Sequence, residues 1–171
     1  MRAIIPGRYQ PFHKGHLYLL DKALKENEEI MIVVENAGES FTFENPMTSG
    51  ERIEMIINVI KNQYDNEMKR IFIFPMENIK NNAEWVNHLK VMLPRFDICY
   101  SNNNLVKILM ESAGIEVKSV ELLERNIYSG TEIRKRISMG LEWREFVPLP
   151  VYDYIMKNGI DKRIKELGMK N

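Results

Sequence analysis

Gly7-Arg8-Tyr9-Gln10-Pro11-Phe12-His13-Lys14-Gly15-His16 joins two runs of different period. Ala3 to Pro6, just before it, is a short apolar run that reads as a strand. Leu17, Leu20, Ala23 and Leu24, just after it, recur at helical spacing. A strand that turns through a glycine-bearing loop into a helix is the opening unit of a parallel α/β sheet. The loop is not a P-loop and not G-x-G-x-x-G, because neither spacing is present. Gly7 at the strand end lets a ligand approach the backbone closely. His13 and His16 are three apart, so on a first helical turn they share one face. They stand beside the free N–H groups of a helix N-terminus, where anions are favoured. Gly15 between them leaves that surface open.

Two of the chain's 3 histidines fall inside these four positions. Three readings of the pair stand side by side: a structured turn, a metal pair, and a phosphate site. Zinc would need a third ligand, for which His88, Cys99 or a carboxylate are the candidates. The phosphate reading, with imidazoles and backbone N–H groups around a polyphosphate, uses the glycines as well, and we favour it.

Outward from this segment, strand-like and helix-like runs alternate. Ile30 to Val34 is a continuous β-branched run, as in a strand buried on both faces. A polar loop covers Asn36 to Thr48; Ile53, Ile56, Ile57 and Ile60 then mark a helix with Ser49 as its N-cap. Ile71 to Phe74, Phe96 to Tyr100 and Glu116 to Val120 read as further strands. Ala83 to Leu93 and Leu105 to Ser112 read as helices. After Tyr128 the signals are helical only: Ser129 to Met139, Glu142 to Phe146, and Val151 to Leu167. The expected fold is a Rossmann-like, doubly wound parallel sheet with helices on both faces, over residues 1–128. A helical C-terminal part of the same domain follows, over 129–171. Ligands of such sheets bind at the carboxyl ends of the strands, where the strand order reverses.

The 171 residues carry 24 Lys+Arg against 24 Asp+Glu, a net charge of zero. That excludes a broad basic face for nucleic acid or an anionic membrane. The charges are uneven: residues 26–54 hold eight Glu and one basic residue, Arg52. One cysteine, Cys99, excludes an internal disulfide framework and a zinc site built on several thiolates. No apolar run approaches the roughly 18–20 residues of a membrane-spanning helix, and the N-terminus does not read as a secretory signal. The expected location is the cytoplasm.

A second motif, Tyr128-Ser129-Gly130-Thr131-Glu132-Ile133-Arg134, starts a helix. Ser129 and Glu132 have capping-box spacing. Gly130 exposes backbone, Ser129 and Thr131 offer hydroxyls, and Arg134 lies one turn inward. Such an N-terminus with a permanent planar cation beside it suits an anion.

The first segment resembles the (H/T)xGH signature of the nucleotidyltransferase α/β-phosphodiesterase superfamily, and the second resembles that superfamily's SGTxIR or SSTxIR segment. Almost the whole chain resembles the archaeal-type nicotinamide-nucleotide adenylyltransferases, including Glu44 to Arg52, Asn82 to Val86, Phe96 to Asn103 and Tyr128 to Arg134. Two departures are visible. Ser101-Asn102-Asn103 stands where Ser-Gly-Asn is usual, and Glu44 stands where some members carry a basic residue.

The resemblance implies adenylyl transfer from ATP to nicotinamide mononucleotide (NMN), giving NAD⁺ and pyrophosphate, with Mg²⁺ accompanying ATP and no protein metal site. It implies that His13, His16 and Arg134 are catalytic. It implies that Gly7, Arg8, Gly15, Asn102, Ser129, Gly130 and Thr131 hold ATP and its phosphates. It further implies that Asn82 recognises the carboxamide and Trp85 stacks on the nicotinamide ring. Read without the family, Trp85 is a core residue beside Val86 and Leu89. A symmetric homo-oligomer, a hexamer among its forms, is implied too. Two rival readings remain: transfer to another phosphate acceptor, such as FMN or phosphopantetheine, and a non-catalytic nucleotide sensor on the same fold.

Overall fold

The computed structural model describes residues 1–120 and 128–169. Five strands form one parallel sheet: β1 (Arg2–Gly7), β2 (Glu29–Val34), β3 (Ile71–Pro75), β4 (Ile98–Tyr100) and β5 (Glu116–Lys118). Their order is β3-β2-β1-β4-β5. β1 therefore pairs with β2 on one side and with β4 on the other, and the direction of winding reverses beside it. Gly7 is in register with Val34 at the carboxyl end of the sheet.

Side chains alternate between the two faces, and both faces are buried along the central strands β1, β2 and β4. Ala3 and Ile5 of β1 point into one core with Ile30, Ile32, Val34, Ile98 and Tyr100. Ile4 points into the other with Met31, Val33 and Cys99. The first core is covered by α1 (Lys14–Glu26), α2 (Ser49–Gln63), α5 (Gly130–Met139), α6 (Leu149–Lys157) and α7 (Ile160–Gly168). The second is covered by α3 (Trp85–Met92) and α4 (Asn104–Ser112). Each fully buried Ile, Val or Leu contributes roughly 1.5–3 kcal/mol by leaving water, which holds the helices on the sheet. Ile133, Ile137, Val151, Ile155, Ile160 and Ile164 join the first core, so the C-terminal helices pack onto the sheet-bearing part.

Local chemistry moves several expected boundaries. The cap of α2 is Thr48, not Ser49. Thr48 Oγ1 accepts from the Glu51 N–H at 3.2 Å, and the Glu51 carboxylate accepts from the Thr48 N–H at 2.8 Å. The Val151 to Leu167 run is two helices, because Gly159 takes the left-handed conformation (φ 66) between α6 and α7. The helix expected from Ala83 opens as a 3₁₀ turn, Asn82–Glu84, before α3. β4 starts at Ile98 and β5 ends at Lys118, both shorter than expected. A 3₁₀ segment, Asp65–Arg70, leads into β3 without a periodic signal in the sequence. No helix among the described residues is long and apolar enough to cross a membrane.

Candidate active site

A cavity of about 540 Å³ opens at the carboxyl ends of β1 and β4, where the winding reverses. Three helix N-termini meet it: α1 capped by His13, α4 by Asn103, and α5 by Ser129. The partial positive ends of three helices thus face one space. Of the expected residues, Gly7, Arg8, His13, Gly15, His16, Asn102, Ser129, Gly130, Thr131 and Arg134 all line it. Asn82 and Trp85 do not. Asn82 lies exposed in its 3₁₀ turn, and Trp85 is 8% exposed, packed in the second core.

The two imidazoles stack, with ring centroids 3.7 Å apart. His16 also lies against Tyr9 and Phe12, at 4.5 and 5.3 Å. The His13 N–H donates to His16 Nδ1 at 3.2 Å. Nδ1 is therefore the acceptor, and a neutral His16 carries its proton on Nε2. Burial pushes the His13 pKa down to about 3. Burial, and then the neighbouring His13, hold that of His16 well below the usual histidine value. Both rings are neutral at pH 7 in the free protein. Neutral His16 is thus a hydrogen-bond donor, and it lies at the end of β1. A Cβ on Gly7 would come within 3.3 Å of Nε2 and 3.2 Å of the Tyr9 ring, which is why the strand ends in glycine.

On the opposite wall, Ser129 Oγ accepts from the Glu132 N–H at 3.1 Å and starts α5. The expected return bond is replaced: the Glu132 carboxylate pairs instead with Arg136 Nε at 2.8 Å. Arg136 is thereby held, and it also lies over the Phe146 ring, while Lys135 is exposed. Arg134 is 3% exposed. Its Nη1 donates to the Gln10 carbonyl at 2.7 Å, and its Nε is buried without a partner. Burial and then Arg8 lower its pKa to about 10, so it stays cationic at neutral pH. A Cβ on Gly130 would stand 2.9 Å from that same Gln10 carbonyl and 3.0 Å from Arg134 Nη1. Gly130 therefore makes room for the contact that joins the two motifs.

Three residues beyond those expected shape the site: Gln10 and Glu35 line the cavity, and Arg52 lies buried behind it. Gln10 ties the first loop to the loop before α2, giving to the Met47 carbonyl at 2.9 Å and accepting from its N–H at 3.0 Å. Arg52, the single basic residue of the Glu-rich stretch, is fully buried but makes no ion pair among the described residues. It donates to the carbonyls of Arg8 (2.8 Å), Glu35 (2.6 Å) and Asn36 (2.9 Å), and so fixes the loops after β1 and β2. Glu35, just past β2, places a carboxyl on the cavity wall. Burial pushes its pKa up to about 7, against the pull of the Trp85 indole and Arg8. No spacing rule points to any of these three. Their roles arise from backbone that only the fold brings near.

His88 and Cys99 add no third ligand to the histidine pair: no group of three or more His, Cys, Asp or Glu side chains gathers among the described residues. Asn102 spends its side-chain oxygen on the Val120 N–H at 3.0 Å, bracing the loop after β4. Glu44 is exposed.

The family model described as cytidylyltransferase-like matches residues 4–136, from β1 through the arginines of α5. The nicotinamide-nucleotide adenylyltransferase of Methanococcus aeolicus is 43% identical over 171 residues, covering 100% of this chain and 97% of that one. The chain belongs to the nicotinamide-nucleotide adenylyltransferase family. The enzyme of the same name from Archaeoglobus fulgidus is 38% identical, with 98% of each chain covered. The fold agrees. A bifunctional NMN adenylyltransferase/ADP ribose pyrophosphatase from Francisella tularensis, complexed with AMP and a manganese ion, superposes with a TM-score of 0.81. That match covers 99% of this chain and 52% of the other, at 18% identity. Nicotinic acid mononucleotide adenylyltransferase of Plasmodium falciparum, complexed with NaAD, gives 0.64 over 94% of this chain and 97% of the other, also at 18% identity. As a member of the family, the chain is a nucleotidyltransferase of NAD biosynthesis that catalyses ATP-dependent adenylyl transfer.

Proposed function

We propose that the cavity between β1 and β4 is where the adenylyl group of ATP passes to NMN, with direct in-line displacement and no covalent enzyme intermediate. A phosphate oxygen of NMN forms a bond to the α-phosphorus as the bond to the β-bridging oxygen breaks; pyrophosphate leaves with that oxygen. A phosphate monoester has its second pKa near ~6, so the nucleophile is mostly a dianion at neutral pH and needs no base. The enzyme then contributes position and preorganised charge. The observation that carries this reading is the meeting of both motifs on one cavity, through Arg134 and the Gln10 carbonyl.

His16, neutral and donating through Nε2, serves the α-phosphate as charge builds on it, with His13 stacked beside it. The α5 N-terminus, with Ser129, Gly130, Thr131 and Arg134, holds the β- and γ-phosphates that leave. Arg8, exposed at the rim, adds a cation. Adenine and ribose lie over Gly7, Gly15 and Asn102. Nicotinamide is assigned to Asn82 and Trp85, which requires the bound ring to pass Glu35 to reach the indole.

A divalent cation fits here as a companion of the phosphates. The described residues gather no carboxylate or imidazole cluster for it, so phosphate oxygens and water would form its shell, which is the habit of Mg²⁺. When bound, it neutralises phosphate charge. We extend the reading to a homo-oligomer, as the resemblance implies, and to the cytoplasm, as expected from the sequence.

Incubation with NMN and Mg-ATP, with NAD⁺ followed by HPLC, tests the proposal. Stoichiometric NAD⁺ and pyrophosphate are expected. Faster pyrophosphate release with FMN or phosphopantetheine, or with CTP in place of ATP, would select another acceptor or donor. Binding of NAD⁺ without turnover would mark a sensor.

A further inference from the structure

The C-terminal helix α7 grips the loop that carries Met47, and Met47 is the residue that Gln10 holds. Ile160 and Ile164 fix α7 in the first core, both fully buried. Arg163 stands beside Ile164 and does not line the cavity. Its guanidinium forks onto both oxygens of the Glu51 carboxylate, Nη1 to Oε2 at 2.7 Å and Nη2 to Oε1 at 2.9 Å. Nη1 also donates to the Pro46 carbonyl at 3.1 Å, one residue before Met47. The same guanidinium lies over the Phe41 ring, 5.0 Å from its centroid. One side chain thus holds Phe41, Pro46 and Glu51, on both sides of Met47. A second strut runs from the end of α7. A Cβ on Gly168 would come within 3.3 Å of the Phe43 ring, and that ring lies 6.0 Å from the Arg134 guanidinium.

We propose that Arg163 is a positioning residue for adenylyl transfer: it sets the Arg134 guanidinium against the phosphates by way of residues 41–48 and Gln10. This rests on the assignment of Arg134 to the leaving phosphates. Both struts end on Arg134. One passes through Pro46 and Met47 to the Gln10 side chain, and from the Gln10 carbonyl to Arg134 Nη1 at 2.7 Å. The other passes through Phe43. A bidentate arginine–carboxylate pair fixes an orientation as well as a distance, which a single contact does not. Met47 is fully buried and Gln10 is 2% exposed, so a shift of the loop is passed on through close packing.

The test measures kcat for NAD⁺ formation from NMN and Mg-ATP in two backgrounds, wild type and Arg134→Lys, each with and without Arg163→Met. In the wild-type background Arg163→Met should lower kcat about tenfold, short of the ~10²-fold that a 1 Å misplacement can cost. In the Arg134→Lys background it should lower kcat by less than about twofold, because residues that act through one contact are not additive. A merely structural loss multiplies equally in both backgrounds, and that result overturns the positioning role. So does a wild-type kcat in folded Arg163→Met. Glu51→Gln keeps an acceptor for the cap of α2 and takes the charge from the fork. It should show the same dependence on background, and it decides the matter where Arg163→Met does not fold. A wild-type kcat in Arg134→Lys overturns the assignment of Arg134 to the phosphates, and the role of Arg163 with it.

Discussion

Arg134 Nη1 donates to the Gln10 carbonyl at 2.7 Å, across 124 positions of sequence. The bond is buried, and it sets the distance between the histidine wall and the α5 wall of the cavity. Gly130 is its guard. Gly130→Ala would drive a methyl against both partners, at 2.9 and 3.0 Å, so one of them must move. A displacement of about 1 Å can cost ~10²-fold in rate. We expect kcat/KM for ATP to fall on that scale while the circular dichroism spectrum stays that of wild type. Steady-state kinetics with varied ATP check this.

In the proposed mechanism, His16→Ala removes a donor aimed where charge develops. Loss of one such donor costs ~10²–10³ in kcat. KM for ATP should change much less, since the contact matters most in the transition state. Turnover near that of wild type in the purified variant would remove His16 from the mechanism.

Trp85→Ala should raise KM for NMN and spare that for ATP. A pyridinium over indole is worth roughly 0.5–2 kcal/mol, which is several-fold in affinity. Trp85 is also core, so a lower Tm should accompany the change. Titration of each substrate by calorimetry separates the two effects.

Arg52→Met leaves three partly buried carbonyls, those of Arg8, Glu35 and Asn36, without their donor. Each lost partner costs about 1–3 kcal/mol. We expect the urea midpoint to drop by the equivalent of ~3 kcal/mol at unchanged m. Arg52→Lys should recover less than half, because an ammonium cannot reproduce the guanidinium fork.

The histidines make stability depend on acid. Below pH ~6.5 the unfolded chain protonates them, whereas folded His13 resists until about pH 3. Stability from this source is complete above pH 6.5 and is lost as pH falls toward 3. The slope is at most ~1.4 kcal/mol per pH unit for one histidine. Glu35 has the opposite sign: its raised pKa adds stability as pH falls from about 7 toward 4.5. The contribution of His13 is isolated by comparing wild type with His13→Asn in urea melts from pH 4 to 7. The two curves should converge toward pH 4 and part toward neutrality, where wild type is the more stable. Parallel curves would show that His13 titrates normally in the folded state.

The glycine positions illustrate how much of the site was readable. Gly7 and Gly130 mark strand and helix ends in the sequence, and the structure shows what each makes room for. His13, His16 and Ser129 sit within one turn of a helix start, so their spacing carried their arrangement. Trp85 is different. Its helical neighbours Val86 and Leu89 place it in a core, and the structure puts it there. Residue pattern alone cannot say whether a core indole also borders a ligand, because that depends on which loops the fold brings beside it.

By itself the sequence determined the alternation of strand and helix, the two anion-suited helix starts, and the neutral sum of charge. These rest on period, capping and composition, which are properties of neighbours along the chain. The tertiary structure alone decided which ends converge. Arg134 meets Gln10, Arg52 meets three loop carbonyls, and Glu35 reaches the cavity from β2 because parallel crossovers bring distant strand ends side by side. Such contacts are set by the order of strands in the sheet, and that order is fixed by packing across two cores rather than by any short run of residues.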